Sequence, residues 1–158
     1  MARLQSRTAI VTGAAGGIGH AIALRLAEEG ANVAIADIDG ARAQEAAEAF
    51  RQRGLSAIGV GQDVTSADDW QTVFATTAGQ FGKVDILVNN AGLALVASIE
   101  EVSFEDWRRI HSVNLDGVFL GIQTAIAAMR DHGGAIVRLG VSRSRSRCLR
   151  PWVRVSDR

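Results

Sequence analysis

Two stretches of the chain hold residue types whose spacing could do chemistry. The first is TGAAGGIG, Thr12–Gly19. It lies between a short apolar, β-branched run, TAIVTG (Thr8–Gly13), and a helical pattern, GIGHAIALRLAEEG. In that position each glycine has its own task. Gly13 allows the tight turn, Gly17 lets the backbone approach a pyrophosphate, and Gly19 lets the helix pack closely on the strand, with Ile18 between them. The helix N-terminus offers free N–H groups and a positive dipole end to phosphates. The spacing is G-x-x-x-G-x-G, not the commoner G-x-G-x-x-G. A glycine cluster by itself reads as a loop; its place after a strand and before a helix makes it a phosphate cradle. The second feature is Asp37, which ends the next strand-like run, NVAIADI. Its carboxylate can accept hydrogen bonds from a ribose 2′-OH and would repel a 2′-phosphate. Neither the glycine loop nor Ile38 supplies an Arg or Lys, so the pattern favours NAD over NADP. The bland alternative for Asp37 is a solvated strand end.

These groups need a frame, and the rest of the pattern supplies one. SAIGVGQDV reads as a third strand, KVDILVNNAG as a fourth and GAIVRLG as a fifth. Between them lie helical stretches: one from Gly17 with an apolar face of Ile18, Ile22, Leu26 and intervening Ala; GARAQEAAEAFRQRG; and SADDWQTVFATTAGQFG, with a Ser N-cap and acidic first turn. The long segment SFEDWRRIHSVNLDGVFLGIQTAIAAMRDHGG reads as one or two helices, with apolar spacing through Val113, Phe119, Ile122, Ile126 and Met129. Strands alternating with helices imply right-handed βαβ units. The expected class is α/β: a doubly wound, Rossmann-like parallel sheet, incomplete, of about five strands. The expected division is a dinucleotide-binding domain over residues 1–141 and a basic, disordered tail over 142–158.

Composition narrows the classes. A length of 158 residues fits one domain, and 47% apolar with 22% charged residues reads as soluble and globular. No apolar run approaches the ~20 residues that span a bilayer, and the N-terminus lacks a signal-peptide pattern. A single cysteine, Cys148, rules out an internal disulfide framework and fits a reducing, cytoplasmic setting. With three scattered His, no metal site is expected. The net charge of zero hides an asymmetry: residues 1–137 hold 10 Lys/Arg and 16 Asp/Glu, whereas residues 138–158 hold 7 Arg and 1 Asp. Such a split marks either a nucleic-acid arm or sequence of different origin.

Four elements together resemble the classical short-chain dehydrogenase/reductase family: the Thr12–Gly19 loop; Asp63-Val64 after the third strand; Asn89-Asn90-Ala91-Gly92 after the fourth; and Asn114–Gly121, NLDGVFLG. The likeness runs from about Thr8 to Val137, a little over half of a family domain. It implies hydride transfer between a nicotinamide C4 and a secondary alcohol or ketone carbon. It also implies that Asp63 and Val64 contact the adenine ring, that Asn90, Ala91 and Gly92 border the cofactor, and that Asn114 belongs to a catalytic tetrad with a Ser and a Tyr-x-x-x-Lys pair. A family dimer interface would use the helix Asn114–Arg130, compromised here because its partner helix is missing.

The chain then departs from the family. Arg138 stands where an Asn is expected, Val141 where the catalytic Ser would fall, and Ser142 is one place late. A one-residue shift along a strand turns a side chain to the other face. The sequence has no tyrosine, and its only lysine, Lys83, precedes the fourth strand. Arginine at positions 154 and 158 cannot replace the pair, because it holds its proton. Of the tetrad only Asn114 remains. The expectation is therefore an NAD-dependent oxidoreductase by family, inactive as this chain, with a non-enzymatic dinucleotide-binding module as the alternative. Residues from about Arg138 onward read as a shifted frame or an aberrant splice junction, and a nucleic-acid arm with Trp152 stacking a base is the rival. Neither nucleic acid nor membrane is an expected partner. His111 is read as a half-buried helix residue ahead of an acid/base, Trp70 and Trp107 as packing residues, and Ile99–Asp106 as a solvated helix start.

Overall fold

The computed structural model describes residues 2–140; the expectations placed on Val141, Ser142, Cys148, Trp152 and the basic tail lie outside the described residues. Five strands form, at Thr8–Thr12 (β1), Asn32–Asp37 (β2), Ala57–Gly61 (β3), Ile86–Asn89 (β4) and Ala135–Arg138 (β5). The helices are Gly17–Glu28 (α1), Gly40–Gln52 (α2), Ala67–Phe81 (α3), Phe104–His111 (α4) and Gly117–Met129 (α5), with a π-helical turn, Ser112–Asp116, joining the last two. The strands are all parallel in the order β3-β2-β1-β4-β5. This is the Rossmann-like, doubly wound α/β sheet that the sequence pattern implied, incomplete relative to the full fold.

The alternation of side chains along each strand sorts the core into two layers. Val11, Val33, Ile35 and Val88 pack with Ala23 and Ala27 of α1 and with Ala43, Ala47 and Phe50 of α2. Ile10, Ala34, Ala36 and Leu87 pack with Trp70, Val73 and Phe74 of α3 and with Ala125 and Met129 of α5. Strands covered on both faces are apolar throughout, which is why β1 reads TAIVT and is buried at every residue. Trp70 is fully buried, as expected, and its indole N–H donates to the Val64 carbonyl at 2.8 Å. Ser66 caps α3 by accepting the Asp69 N–H, with Asp68 and Asp69 in the first turn.

Two helix faces differ from the periodic reading. On α1 the buried residues are Gly19, Ala23 and Ala27, while Ile18 is 68% exposed; only Ile22 and Leu26 of the expected stripe touch the core. On α5 the buried residues are Gly117, Gly121, Thr124, Ala125 and Met129, and the larger Phe119 and Ile126 point outward. Close approach is the cause: a Cβ at Gly121 would lie 2.6 Å from the Trp70 ring and 2.7 Å from Asn89 Oδ1. Small residues let the helix reach the sheet, so the bulky apolar ones are left outside. Trp107 is a further correction, being half-exposed and stacked on His111 with ring centroids 4.0 Å apart. The helical stretch Phe104–Met129 is long and apolar enough to cross a membrane by length and composition alone. Its C-terminal half lies against α3 and β4 through the small residues just named. The strand β5 has β4 as its one partner among the described residues, and all four of its residues are exposed.

At the other end of the sheet Asp85 acts as a bolt. Its side chain is 3% exposed and takes Lys83 Nζ and Arg7 Nη1, both at 2.9 Å, on Oδ1. Its Oδ2 accepts the Thr8 N–H at 3.0 Å, tying the start of β1 to the residue before β4. Burial pushes this carboxyl up, but the hydrogen bonds from Lys83, Thr8 and Arg7 outweigh it and hold the group below the ordinary carboxylate range. A carboxyl depressed in the folded state stabilises fully above its unfolded value of about 4, and the contribution is lost as pH falls through the folded value. Asp85→Asn should cost about 1–3 kcal/mol at neutral pH. In urea melts the wild type should lose more stability than the variant between about pH 5 and pH 3; identical acid sensitivity would remove Asp85 from this role.

Candidate functional site

From β1 the chain builds β2 and then β3 on one flank, and it then crosses back to place β4 on the other flank of β1. Connections leave β1 and β4 in opposite directions, so a crevice opens beyond their C-terminal ends, where α/β sheets bind ligands. The glycine loop sits there, held by a compact set of hydrogen bonds. Asn90 Nδ2 donates to the carbonyls of Thr12 at 2.8 Å and Gly13 at 3.0 Å. Thr12 Oγ1 accepts the N–H groups of Asn90 at 3.1 Å and Ala91 at 3.0 Å. Gly13 has φ +61°, and a Cβ there would fall 2.9 Å from Ala91 Cα. A Cβ on Gly19 would overlap both the Gly13 carbonyl and Asn90 Nδ2. Gly17, with φ +58°, has nothing within 4 Å of the same position, so the loop is open on that side. Gly16 is the N-cap of α1 and supplies no side-chain acceptor, which leaves the first N–H groups of the helix without a capping side chain.

Two cavities flank this loop. The first, of about 450 Å³, is lined by Gly13, Asp37, Ile38, Gln62, Asp63 and Val64 on one side and by Ala91, Gly92, Leu93, Arg109 and Val113 on the other. Asp37 closes onto the loop: Oδ2 accepts the Ala15 N–H at 3.0 Å and Oδ1 the Asp39 N–H at 3.1 Å. Asp63 is set by a turn of its own, its Oδ1 accepting from the Thr65 N–H and hydroxyl at 2.9 and 2.8 Å. The second cavity, of about 410 Å³, is lined by Ile18, Asn90, Ala91, Gly92, Asn114, Arg138 and neighbours. The two share Ala91, Gly92 and Leu93.

The sequence-predicted residues are thus largely brought together. Gly13, Asp37, Ile38, Asp63, Val64, Ala91 and Gly92 border the first cavity, and Ile18, Asn90 and Asn114 the second, while Gly17 and Gly19 shape the loop. The first cavity combines apolar walls with the carboxylates of Asp37 and Asp63. The second is different. Asn114 lies in the π-helical turn, and its amide is engaged on both ends by Leu93, accepting its N–H and donating to its carbonyl, each at 2.8 Å. Its neighbour across the cavity is Arg138, which cannot act as a proton acceptor. His111 is engaged within its own helix, Nδ1 lying 2.9 Å from the Trp107 carbonyl, in keeping with a helix residue rather than an acid/base.

Sequence reasoning passed over several of the lining residues. Gln62 is a polar residue in a buried strand end, next to Asp63, and that mismatch was a readable signal. Val113 stands beside Asn114 and was taken only as core. Arg42 is exposed on α2, and its guanidinium lies 3.2 Å from where a Gly16 Cβ would stand, so a cation does reach the loop. No local pattern announces it, because the approach is made by a different helix.

The loop's tight fit gives a prediction. Gly19→Ala should lower stability by about 1–3 kcal/mol, because backbone and the Asn90 amide block the new methyl. In an Asn90→Ala background the same change should cost less, since one of the two obstacles is gone. Urea melts of the four proteins measure the coupling, and strictly additive effects would contradict the packing described.

Comparison with known proteins gives consistent results. The family described as short chain dehydrogenase matches residues 7–148, a span that runs past Val137. The 3-beta-hydroxysteroid dehydrogenase of Comamonas testosteroni is 39% identical over 137 residues, covering 87% of this chain and 53% of that protein. The NADP-dependent (R)-specific alcohol dehydrogenase of Lentilactobacillus kefiri is 40% identical, covering 83% of this chain and 52% of the relative. Among solved structures, a short-chain type dehydrogenase/reductase from Mycobacterium marinum superposes with a TM-score of 0.81 at 36% identity, covering 85% of this chain and 54% of the other. The chain spans about half the length of the curated relatives it matches.

Proposed function

This chain belongs to the short-chain dehydrogenase family, and from that premise we propose that residues 1–158 bind an NAD-type dinucleotide by its adenosine and pyrophosphate half. Members of the family are NAD(P)-dependent oxidoreductases of alcohols and ketones. The observation that carries the reading is the first cavity, where Gly13, Asp37, Asp63 and Val64 converge beside the uncapped start of α1. The backbone N–H groups there suit the pyrophosphate, and Asp37 suits an unmodified ribose. NAD is preferred over NADP in this reading, because a 2′-phosphate would meet the Asp37 carboxylate before it could benefit from Arg42.

When bound, the nicotinamide supplies or accepts the hydride, and the protein's part is to orient the substrate and move its hydroxyl proton. Nothing in residues 1–158 is suited to the proton transfer: the sequence contains no tyrosine, and Asn114 is turned to Leu93. The reading for residues 1–158 is accordingly dinucleotide binding, with no turnover expected from these residues alone. The substrate of the whole family architecture is a secondary alcohol or ketone. Self-association would use the outward face of α5, where Phe119 and Ile126 are exposed.

NADH titration, followed by fluorescence excited through the three tryptophans, tests this. Saturable binding is expected, tighter for NADH than for NADPH, with no oxidation of added secondary alcohols. Asp37→Ala should weaken NADH about tenfold, the loss of a charge-assisted hydrogen bond, and should erase the preference over NADPH. A folded chain that binds neither dinucleotide would end the reading.

A further inference from the structure

We infer that Gln62 is the residue that reads the base: its side-chain amide pairs with the N6/N7 edge of adenine, selecting a 6-aminopurine over a 6-oxopurine. The inference rests on the adenosine reading above and adds a specificity-determining residue to it.

Gln62 follows β3 directly and precedes Asp63. Its backbone N–H donates to the Asp37 carbonyl at 2.8 Å, so it joins the two carboxylate-bearing strand ends that border the first cavity. The residue is 3% exposed, yet both Nε2 and Oε1 lack a hydrogen-bond partner among the described residues. The other polar groups of this wall are engaged: Asp37 with Ala15 and Asp39, Asp63 with Thr65. Other buried polar side chains of the same core are paired as well, Asp85 with Lys83, Arg7 and Thr8, and Thr77 with the Val73 carbonyl. A buried amide left open at both ends carries a penalty; His20 Nδ1 and Asn89 Nδ2 also lack partners among the described residues, but of the three side chains only Gln62 lines the first cavity, whose walls suit a nucleoside.

The chemistry of the amide narrows the ligand. It presents one acceptor and one donor pair side by side. The N6/N7 edge of adenine offers an amino donor beside a ring acceptor, the complement of Gln in that order. A 6-oxopurine offers two acceptors on the same edge, so only one of the two bonds can form. The terminal torsion of Gln is broad, so the amide can present donor and acceptor in either order. Ile38, Val64, Leu93 and Val113 supply the apolar lining for the ring faces.

Calorimetric titration with ADP and IDP, on the wild-type chain and on Gln62→Leu, tests the assignment, with a thermal melt of each protein without ligand. The wild type should bind ADP about tenfold or more tighter than IDP. Gln62→Leu should lose about tenfold in ADP affinity and much less for IDP, bringing the ratio toward one. Its ligand-free melting temperature should hold or rise, because the unpaired amide is gone. Gln62→Met, unbranched and of similar length, guards against a poor fit of Leu and should behave alike. If both variants keep the wild-type affinities, or lose ADP and IDP equally, Gln62 does not read the base. A melting temperature several degrees lower in both variants would mean that the amide is paired inside the fold, and would also sink the inference. A wild type that binds neither nucleotide would take down the adenosine reading itself, whereas ADP binding with an unchanged ADP/IDP ratio in the variants overturns only the role of Gln62.

Discussion

Everything at the ligand end of this sheet depends on one knot, the pairing of Asn90 with Thr12. Thr12 ends β1 and Asn90 follows β4, and these neighbouring strands send their chains to opposite sides. At such a divergence the sheet ladder stops and backbone groups lose their partners. The Asn90 amide takes up the carbonyls of Thr12 and Gly13, and the Thr12 hydroxyl takes up the N–H groups of Asn90 and Ala91. Four backbone groups are satisfied by two short side chains. The glycine loop is fixed from beneath by this arrangement, so its upper side, at Gly17, can stay open without collapsing.

Around the knot, strand register sets the electrostatics. The pairing Asp37↔Gly61 brings the ends of β2 and β3 level, which sets Asp37 and Asp63 on the rim of one cavity. Each of these carboxylates is held by N–H donors of the adjoining turns. In the proposed reading the carboxylate rim faces the ribose diol, and the start of α1, with its uncapped N–H groups, faces the phosphates.

The parts legible in the sequence are those where local chemistry has few solutions. A strand buried on both faces must be apolar, a turn at φ +61° favours Gly, and a helix start after a loop favours Ser or Asp; β1, Gly13 and Ser66 were read on those grounds. Helix faces were less legible. Periodicity finds where apolar residues recur, but approach distance decides which face is buried. In α5 the decisive residues are Gly117 and Gly121, invisible to a hydrophobic count, and the larger Phe119 and Ile126 were assigned to the wrong side. The same holds for Ile18 against Gly19 and Ala23 in α1. Arg42 could not be found locally, because its approach to Gly16 is made between helices.

The two cavities differ in how finished they are, and the difference follows from which strands border them. The first lies beyond the ends of β1, β2 and β3, and its polar groups are either tied down or, at Gln62, without a partner among the described residues. The second lies over β4 and β5, and β5 is an exposed edge that carries Arg138 where the sequence pattern called for a smaller polar residue. A proton relay needs side chains locked by packing on every side, since small displacements of a reacting group are costly. Asn114 is locked, but to the backbone of Leu93, and the edge strand opposite offers no second support. In the proposed reading, binding draws on the ends of β1, β2 and β3, whereas proton transfer would need a rigid wall beside β5 as well. In that reading the division between the cavities parallels the division between holding a dinucleotide and using it.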